Sequence, residues 1–327
     1  MKIVRRNFLH LAAGALAVPA GFRIARAQSQ SYPNKPVRII VGFAGGGGSD
    51  IFARLIGQWL SERLGQPFVV ENRPGASTNI ATETVLRAPA DGYTLLFIGP
   101  SGAINATLYD KLNFNFIRDI APVAGIYRVP QALVVNPSLP AKTVPEFIAY
   151  AKANPNKINM ASTGIGSAPH LAGELFKTMT GIQMVHVPYR GGGAVMTDLL
   201  AGQVQIYFGI LISSIGYMRA GTLRALAVTT AVRSAALPDL PPVGDFVPGY
   251  EASAWYGIGV HKNTPVEIVD KLGKEIDAAL ADPKIRTRIT DLGGEPMRMA
   301  PAEFAKLIGD ETDKWAKVIR ATGIAAQ

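Results

Sequence analysis

Four consecutive glycines, Gly45–Gly48, separate a short apolar run, Val37–Val41, from a helical pattern that opens at Ser49 and Asp50. A strand, a glycine loop and a helix start, in that order, leave unpaired backbone N–H groups and the positive end of a helix dipole around one small space. The chemistry such a space performs is anion binding. Gly45, Gly46, Gly47, Gly48 and Ser49 are therefore candidate ligand residues, and Phe43 and Ala44 join them because they enter the loop directly. A second turn of this kind runs from Met160 to His170, following a strand and opening a helix with Pro169 in its first turn. Here Ser162, Thr163 and Ser167 add hydroxyls to the backbone of Gly164, Ile165 and Gly166. Weaker turns at Ile98–Asn105 and Tyr189–Ala194 bring in Ser101, Gly102, Ala103, Asn105 and Tyr189. The economical reading clamps one anion between two helix starts.

Groups that could do bond chemistry are sparse. The four histidines are His10, His170, His186 and His261, and they are scattered. His170 begins a helix beside the second turn, where it could touch a ligand or brace the loop. His186 reads as a packed strand residue. Gly166 and Ser167 do not form a nucleophile elbow, since Pro169 takes the second glycine place. No His, Asp and Glu set has metal-ligand spacing, so neither a metal nor a cofactor is expected. The rival is a dinucleotide site. Gly45-x-Gly47-x-x-Asp50 approximates the Rossmann fingerprint, and Glu71 lies 24 residues beyond Gly47. Against it, Asp50 stands where the third glycine belongs and would set a carboxylate near a pyrophosphate. An exported NAD(P)-dependent oxidoreductase remains the alternative.

The elements that must hold these turns alternate. Strands are expected at 37–41, 68–71, 94–98, 131–136, 158–161, 184–187, 206–208, 224–229 and 255–261. Helices are expected at 49–64, 79–87, 144–154, 169–180, 194–201, 264–281 and 301–321. This β-α order argues an α/β fold whose mostly parallel sheet is covered by helices. Proline-rich stretches mark two seams, near Tyr127–Asn136 and Tyr250–His261. Two crossings divide the chain into a discontinuous first lobe, residues 28–133 and 253–327, and an inserted second lobe, residues 134–252, with a ligand cleft between lobes.

Residues 1–27 read as a leader. Arg5 and Arg6 form a twin-arginine pair, Leu9–Gly21 is apolar, and Ala25-Arg26-Ala27 supplies the small residues of a cleavage site. Cleavage after Ala27 and export to a bacterial periplasm follow. Losing Lys2, Arg5, Arg6, Arg23 and Arg26 lowers the formal charge from +9 to +4. That mild basicity suits an anionic small molecule and is far from a nucleic-acid footprint. The chain has no cysteine, which excludes disulfides, thiol catalysis and a lipoprotein anchor. Its 48% apolar content can fill a large core by packing alone.

Eight blocks, in order, carry a family resemblance. They are Tyr32–Val41 (YPNKPVRIIV), Gly46–Ile51 (GGGSDI), Val70–Gly75 (VENRPG), Ala90–Leu95 (ADGYTL), Val134–Pro137 (VVNP), His170–Phe176 (HLAGELF), Val185–Tyr189 (VHVPY) and Leu223–Val228 (LRALAV). Over its mature length the chain resembles the periplasmic solute-binding proteins of tripartite tricarboxylate transporters, the Bug-type or TctC-like group. The resemblance implies a two-lobed periplasmic binding protein fold of type II-like form. It also implies capture of a small organic carboxylate and delivery to a membrane permease, with no reaction and no nucleic acid, by a chain acting as a monomer. Ligand presentation to a sensor kinase is a further alternative. By the resemblance, Phe43–Ser49 hold a ligand carboxylate with Asp50 capping the helix, Ser162–Ser167 oppose them, Ser101–Asn105 line the cleft, and Asn79, Tyr189, Phe208 and Gly209 lie nearby.

Three departures set this chain apart. Gly42, Ala44 and Gly45 stand where the family carries prolines, Ile165 stands for a common Asn, and Gly209 stands where amino-acid binders place an Asp. Without that Asp, a ligand ammonium has no counter-charge. A non-amino organic acid is expected.

Overall fold

The computed structural model describes residues 32–324, so the leader read at residues 1–27 lies outside the described residues. Three parallel strands start the fold: β1 (Val37–Val41), β2 (Phe68–Asn72) and β3 (Thr94–Ile98). Four of the five β1 residues are wholly buried, which is why this run is apolar at every position but Arg38 rather than alternating. α1 (Gly48–Leu64) and α2 (Asn79–Leu86) connect these strands. α3 (Pro100–Leu108) and the short α4 (Phe116–Asp119) then lead to β4 (Ile120–Val135).

A second parallel set follows α5 (Val144–Ala153). It comprises β5 (Asn159–Ser162), β6 (Val185–Pro188) and β7 (Ile206–Ile210), joined by α6 (Ala168–Thr180) and α7 (Gly192–Leu200). α8 (Leu211–Arg219), β8 (Arg224–Val228) and β9 (Ser253–His261) return the chain to the first set. α9 (Val266–Ala281), α10 (Pro283–Asp291), β10 (Glu295–Met299) and α11 (Pro301–Thr322) finish it.

The strands form one sheet in the order β2-β1-β3-β9-β4-β7-β5-β6, with β8 and β10 also paired to β4. Each parallel trio is joined to the other through antiparallel partners. β3 pairs β9, β9 pairs β4 from Ile120 to Pro130, and β4 pairs β7 from Gln131 to Val135. The sixteen-residue β4 thus changes partners at Pro130 and Gln131, inside the first proline-marked seam. Proline at 130 lacks the N–H that would continue a ladder, so it suits the switch.

Two of the apolar clusters among the described residues bear on the site. Ile40, Leu96, Ile98, Trp255 and Phe304 belong to one, while Leu133, Phe176, Phe208, Tyr250 and Trp315 belong to the other. α11 contributes to both, with Phe304 and Ile308 in the first and Trp315 and Ile319 in the second. The C-terminal helix therefore straddles the two halves rather than packing with residues 28–133 alone. α3 does the same, through Ala103 on one side and Ile104 and Leu108 on the other.

Candidate functional site

The first loop is held from behind. Gly47 is the N-cap of α1, in extended conformation, and the first intrahelical bond runs from Ile51 N to Gly47 O. Asp50 reaches back across the helix start. Its Oδ2 accepts the Gly46 N–H at 3.0 Å, and both its oxygens accept from Arg54 Nε at 3.0–3.1 Å. Burial alone would raise this carboxyl, but the Arg54 and Gly46 donors hold it below the usual range. Asp50 braces the loop and faces away from a ligand, and Gly46 N–H is already occupied. Arg54 continues to Asn72 Oδ1, and Asn72 Nδ2 donates to Phe43 O at 2.9 Å. The donors left at the helix start belong to Gly48 and Ser49.

The second loop folds on itself. Ser167 is the N-cap of α6, and its hydroxyl and N–H both reach Gly164 O, at 2.7 and 3.1 Å. Ser162 Oγ also reaches Gly164 O and lies 2.6 Å from His186 Nε2. His170 Nδ1 accepts the Gly166 N–H at 3.0 Å, and its ring stacks on His186 with centroids 3.8 Å apart. Through this bond His170 takes the second of the two roles its sequence left open, bracing the loop. Burial, then the neighbouring ring, lowers its pKa to about 3, and burial lowers that of His186 to about 4. Both rings are neutral where His normally begins to charge.

The two loops share a crevice. A first space of about 450 Å³, counted to its open mouth, is lined by Phe43 and Ser49 from the α1 side, Ser101 and Gly102 from α3, and Thr163 and Ser167 from the α6 side. A second, about 360 Å³, adjoins it and shares Phe43, Ser49, Thr163, Ile210 and Tyr256. Its other walls are Ala44, Gly47 and Gly48, then Gly191 and Gly192 at the start of α7, with Tyr207 and Ser213. Helix starts, among them those of α1, α2, α3, α6, α7 and α8, face these two spaces. None of the residues lining either one carries a charge. A third opening brings Gly164, Ile165 and Tyr189 toward Phe43 and Thr163. The walls nearly touch: a Cβ on Gly191 would stand 3.4 Å from Ala44 Cβ.

Several expected residues stand behind the lining. Gly45, Gly46 and Asp50 support the first loop, and Ser162, Gly166 and His170 support the second. Ala103 and Phe208 are core. Tyr189 directs its hydroxyl to Asp198 at 2.6 Å. Asn79 accepts from Asn105 Nδ2 at 2.7 Å, and Asn105 also donates to Ser77 O. Gly209 faces the Tyr207 ring, with which any Cβ would collide at 2.7 Å. Sequence reasoning missed Thr78, Thr82, Tyr207, Ile210, Ser213 and Tyr256 as lining residues. Tyr256 backs both spaces; burial raises its pKa, then the nearby Tyr207, while Ser49 within bonding reach lowers it.

Among the described residues no group of three or more His, Cys, Asp or Glu could hold a metal ion, and no helix is long and apolar enough to cross a membrane. A crevice of helix starts and hydroxyls between two α/β halves is an anion-binding architecture, and the comparisons agree with it. Protein BugT of Bordetella pertussis is 34% identical over 302 residues, 91% of this chain and 93% of that protein. The solved structure of Rhodopseudomonas palustris Rpa4515 with adipate superposes with a TM-score of 0.88 at 38% identity, covering 90% of this chain and 99% of the other. MatC from the same organism, with bound malate, gives 0.84 at 31% identity, over 88% and 100%. The model of the tripartite tricarboxylate transporter family receptor, TctC, matches residues 52–324, and the chain accordingly belongs to that family, with its two-lobed periplasmic binding protein fold.

Proposed function

We propose that this protein is a periplasmic solute-binding protein that captures a small organic carboxylate and passes it, unaltered, to a membrane permease of the tripartite tricarboxylate type. The observation that carries the reading is the convergence of helix starts from both halves on a crevice without a single charged side chain. An anion there is held by main-chain N–H groups and hydroxyls. Charge-assisted bonds of this kind contribute roughly 1.5–3 kcal/mol each, so a few of them with apolar burial support micromolar binding, about −8 kcal/mol. The binding set is Phe43, Ala44, Gly47, Gly48, Ser49, Ser101, Gly102, Thr163 and Ser167, with Tyr256 as a shared wall.

Residues 28–133 with 253–327, and residues 134–252, act as lobes that close on the ligand by bending at β4 and β9. Relatives bound to adipate and to malate support a carboxylate as the ligand. Because no acidic side chain lines either space, an amino acid's ammonium has no partner, and the ligand is a non-amino acid. Mass spectrometry of the small molecule retained through purification, followed by calorimetry with that acid, tests the reading. Micromolar glutamate or aspartate binding would overturn the non-amino assignment. Enhanced NADH fluorescence on adding the protein would instead favour the oxidoreductase.

A further inference from the structure

We propose that Tyr207 is a specificity-determining residue that recognises the far end of the bound acid, its hydroxyl donating to a second carboxylate in the space beside α7 and α8. The inference rests on the carboxylate reading and deepens it. Tyr207 sits on β7 and lines the second space together with Ser213. It is wholly buried, and its hydroxyl makes no directed hydrogen bond, although Ser213 and the Ile210 backbone lie beside it. A desolvated hydroxyl without a partner is an uncommon and costly arrangement in a folded protein. It points to a group supplied from outside the chain.

The surroundings say which group. Ser213 Oγ donates to Ile210 O at 2.8 Å, so its proton is already committed. The remaining polar contributions to this space are the starts of α1 and α7 at Gly47, Gly48, Gly191 and Gly192, which offer N–H groups, and the hydroxyls of Ser49, Thr163 and Tyr256. Burial drives the Tyr207 pKa up to about 12, so the phenol stays a donor at neutral pH. Backbone N–H groups and hydroxyls able to donate, on a site with no charged side chain, complement an acceptor bearing negative charge. The first space takes one carboxylate between α1 and α6, and the shared walls make the second space its neighbour.

Gly209 makes the arrangement possible. Residues 207 and 209 point to the same face of the sheet. A Cβ at 209 would fall 2.7 and 2.8 Å from two carbons of the Tyr207 ring. The phenol therefore takes the room that a side chain at 209 would occupy, and an Asp there excludes it.

The test is calorimetric titration of wild type and Tyr207→Phe with linear dicarboxylates from malonate to suberate and monocarboxylates of matching length. Wild type is expected to prefer a dicarboxylate, and Tyr207→Phe to bind that acid about ten- to hundredfold more weakly. Its affinity for the matching monocarboxylate and its melting temperature are expected to hold. Gly209→Ala, which keeps the hydroxyl but displaces the ring, is expected to lose the same preference. An unchanged preference in Tyr207→Phe, or an equal loss for both acid types, overturns the inference alone. Wild type that binds no acid in the series overturns the carboxylate reading, and the inference with it.

Discussion

At Gly47 the two halves of the molecule come within reach of one another. A Cβ there would stand 3.8 Å from Gly192 N and from Ala44 O, which is ordinary contact, but a longer side chain would enter the gap between the walls. Gly47→Leu should therefore abolish measurable ligand binding by calorimetry while leaving the melting temperature within about 2 °C of wild type. Unchanged affinity would remove the first loop from the site. The stacked histidines behind the second loop predict a pH effect. Their folded pKa values, about 3 and about 4, lie below the ordinary 6.5, so the folded state disfavours protonation. The stability from neutral rings is complete above about pH 6.5 and drains as pH falls toward 4 and then 3. Protonated His170 would also turn Nδ1 from an acceptor of the Gly166 N–H into a competing donor. Urea denaturation should show a loss on the order of 3 kcal/mol per ring between about pH 6.5 and 4. His170→Asn, which keeps an acceptor and does not titrate, should flatten that slope; an equally steep profile would put its origin elsewhere, with Glu174 and Lys177 the nearest other charges.

Between elements, the segment after β2 stores strain next to the cleft. Ala76, Ser77 and Thr78 hold φ values of 44, 47 and 79°, a left-handed run that costs of order 1–3 kcal/mol per residue. Thr78 thereby reaches the first space, and its Cβ lies 2.5 Å from where a Cβ on Gly42 would stand. Asn105 of α3 holds the run by donating to Ser77 O and Asn79 Oδ1, each at 2.7 Å. Asn105→Ala should lower unfolding free energy by about 1–3 kcal/mol in urea, since it leaves a buried carbonyl without its donor, and should weaken ligand binding. A stable variant with wild-type affinity would show that the run needs no anchor. This segment also marks where the sequence stopped being readable. The strands and helices with strong periodicity, such as β1 and α1, were legible to within a residue or two, as were both glycine loops. Left-handed Ala, Ser and Thr carry no residue signal, because only tertiary contacts hold them there. α3 begins Gly99-Pro100 and reads as a turn, while β10, α8 and α10 lack a clean apolar period. The lining tyrosines were missed for a different reason: an aromatic on a buried strand looks the same whether its hydroxyl faces core or ligand.

Over the whole molecule, β4 and β9 run between the halves while α11 packs into both cores. Glu311 of α11 accepts from Trp255 Nε1 at 3.3 Å and from Trp315 Nε1 at 2.9 Å, and so links an indole of one core to an indole of the other. The closure proposed above would bend two strands near Pro130 and Ser253 while this helix stays as a common support. Under the proposed closure, the near-contact of Ala44 with Gly191 belongs to the closed form, and an open form parts these walls to admit an acid. Spin labels can read the difference, because the chain has no cysteine to confuse site-directed labelling. Val69 on β2 and Val185 on β6 are 47% and 43% exposed and lie on opposite end strands of the sheet, so cysteines there need not disturb packing. Pulsed dipolar spectroscopy on the Val69→Cys, Val185→Cys protein should show two distance populations without ligand and one, the closed form, at saturation. Ligand raises the closed fraction only through its preference for that state, so Gly47→Leu on the same background should keep both populations at every acid concentration. A single distribution that ignores the acid would mean that the halves do not hinge, and that the acid enters a crevice already formed.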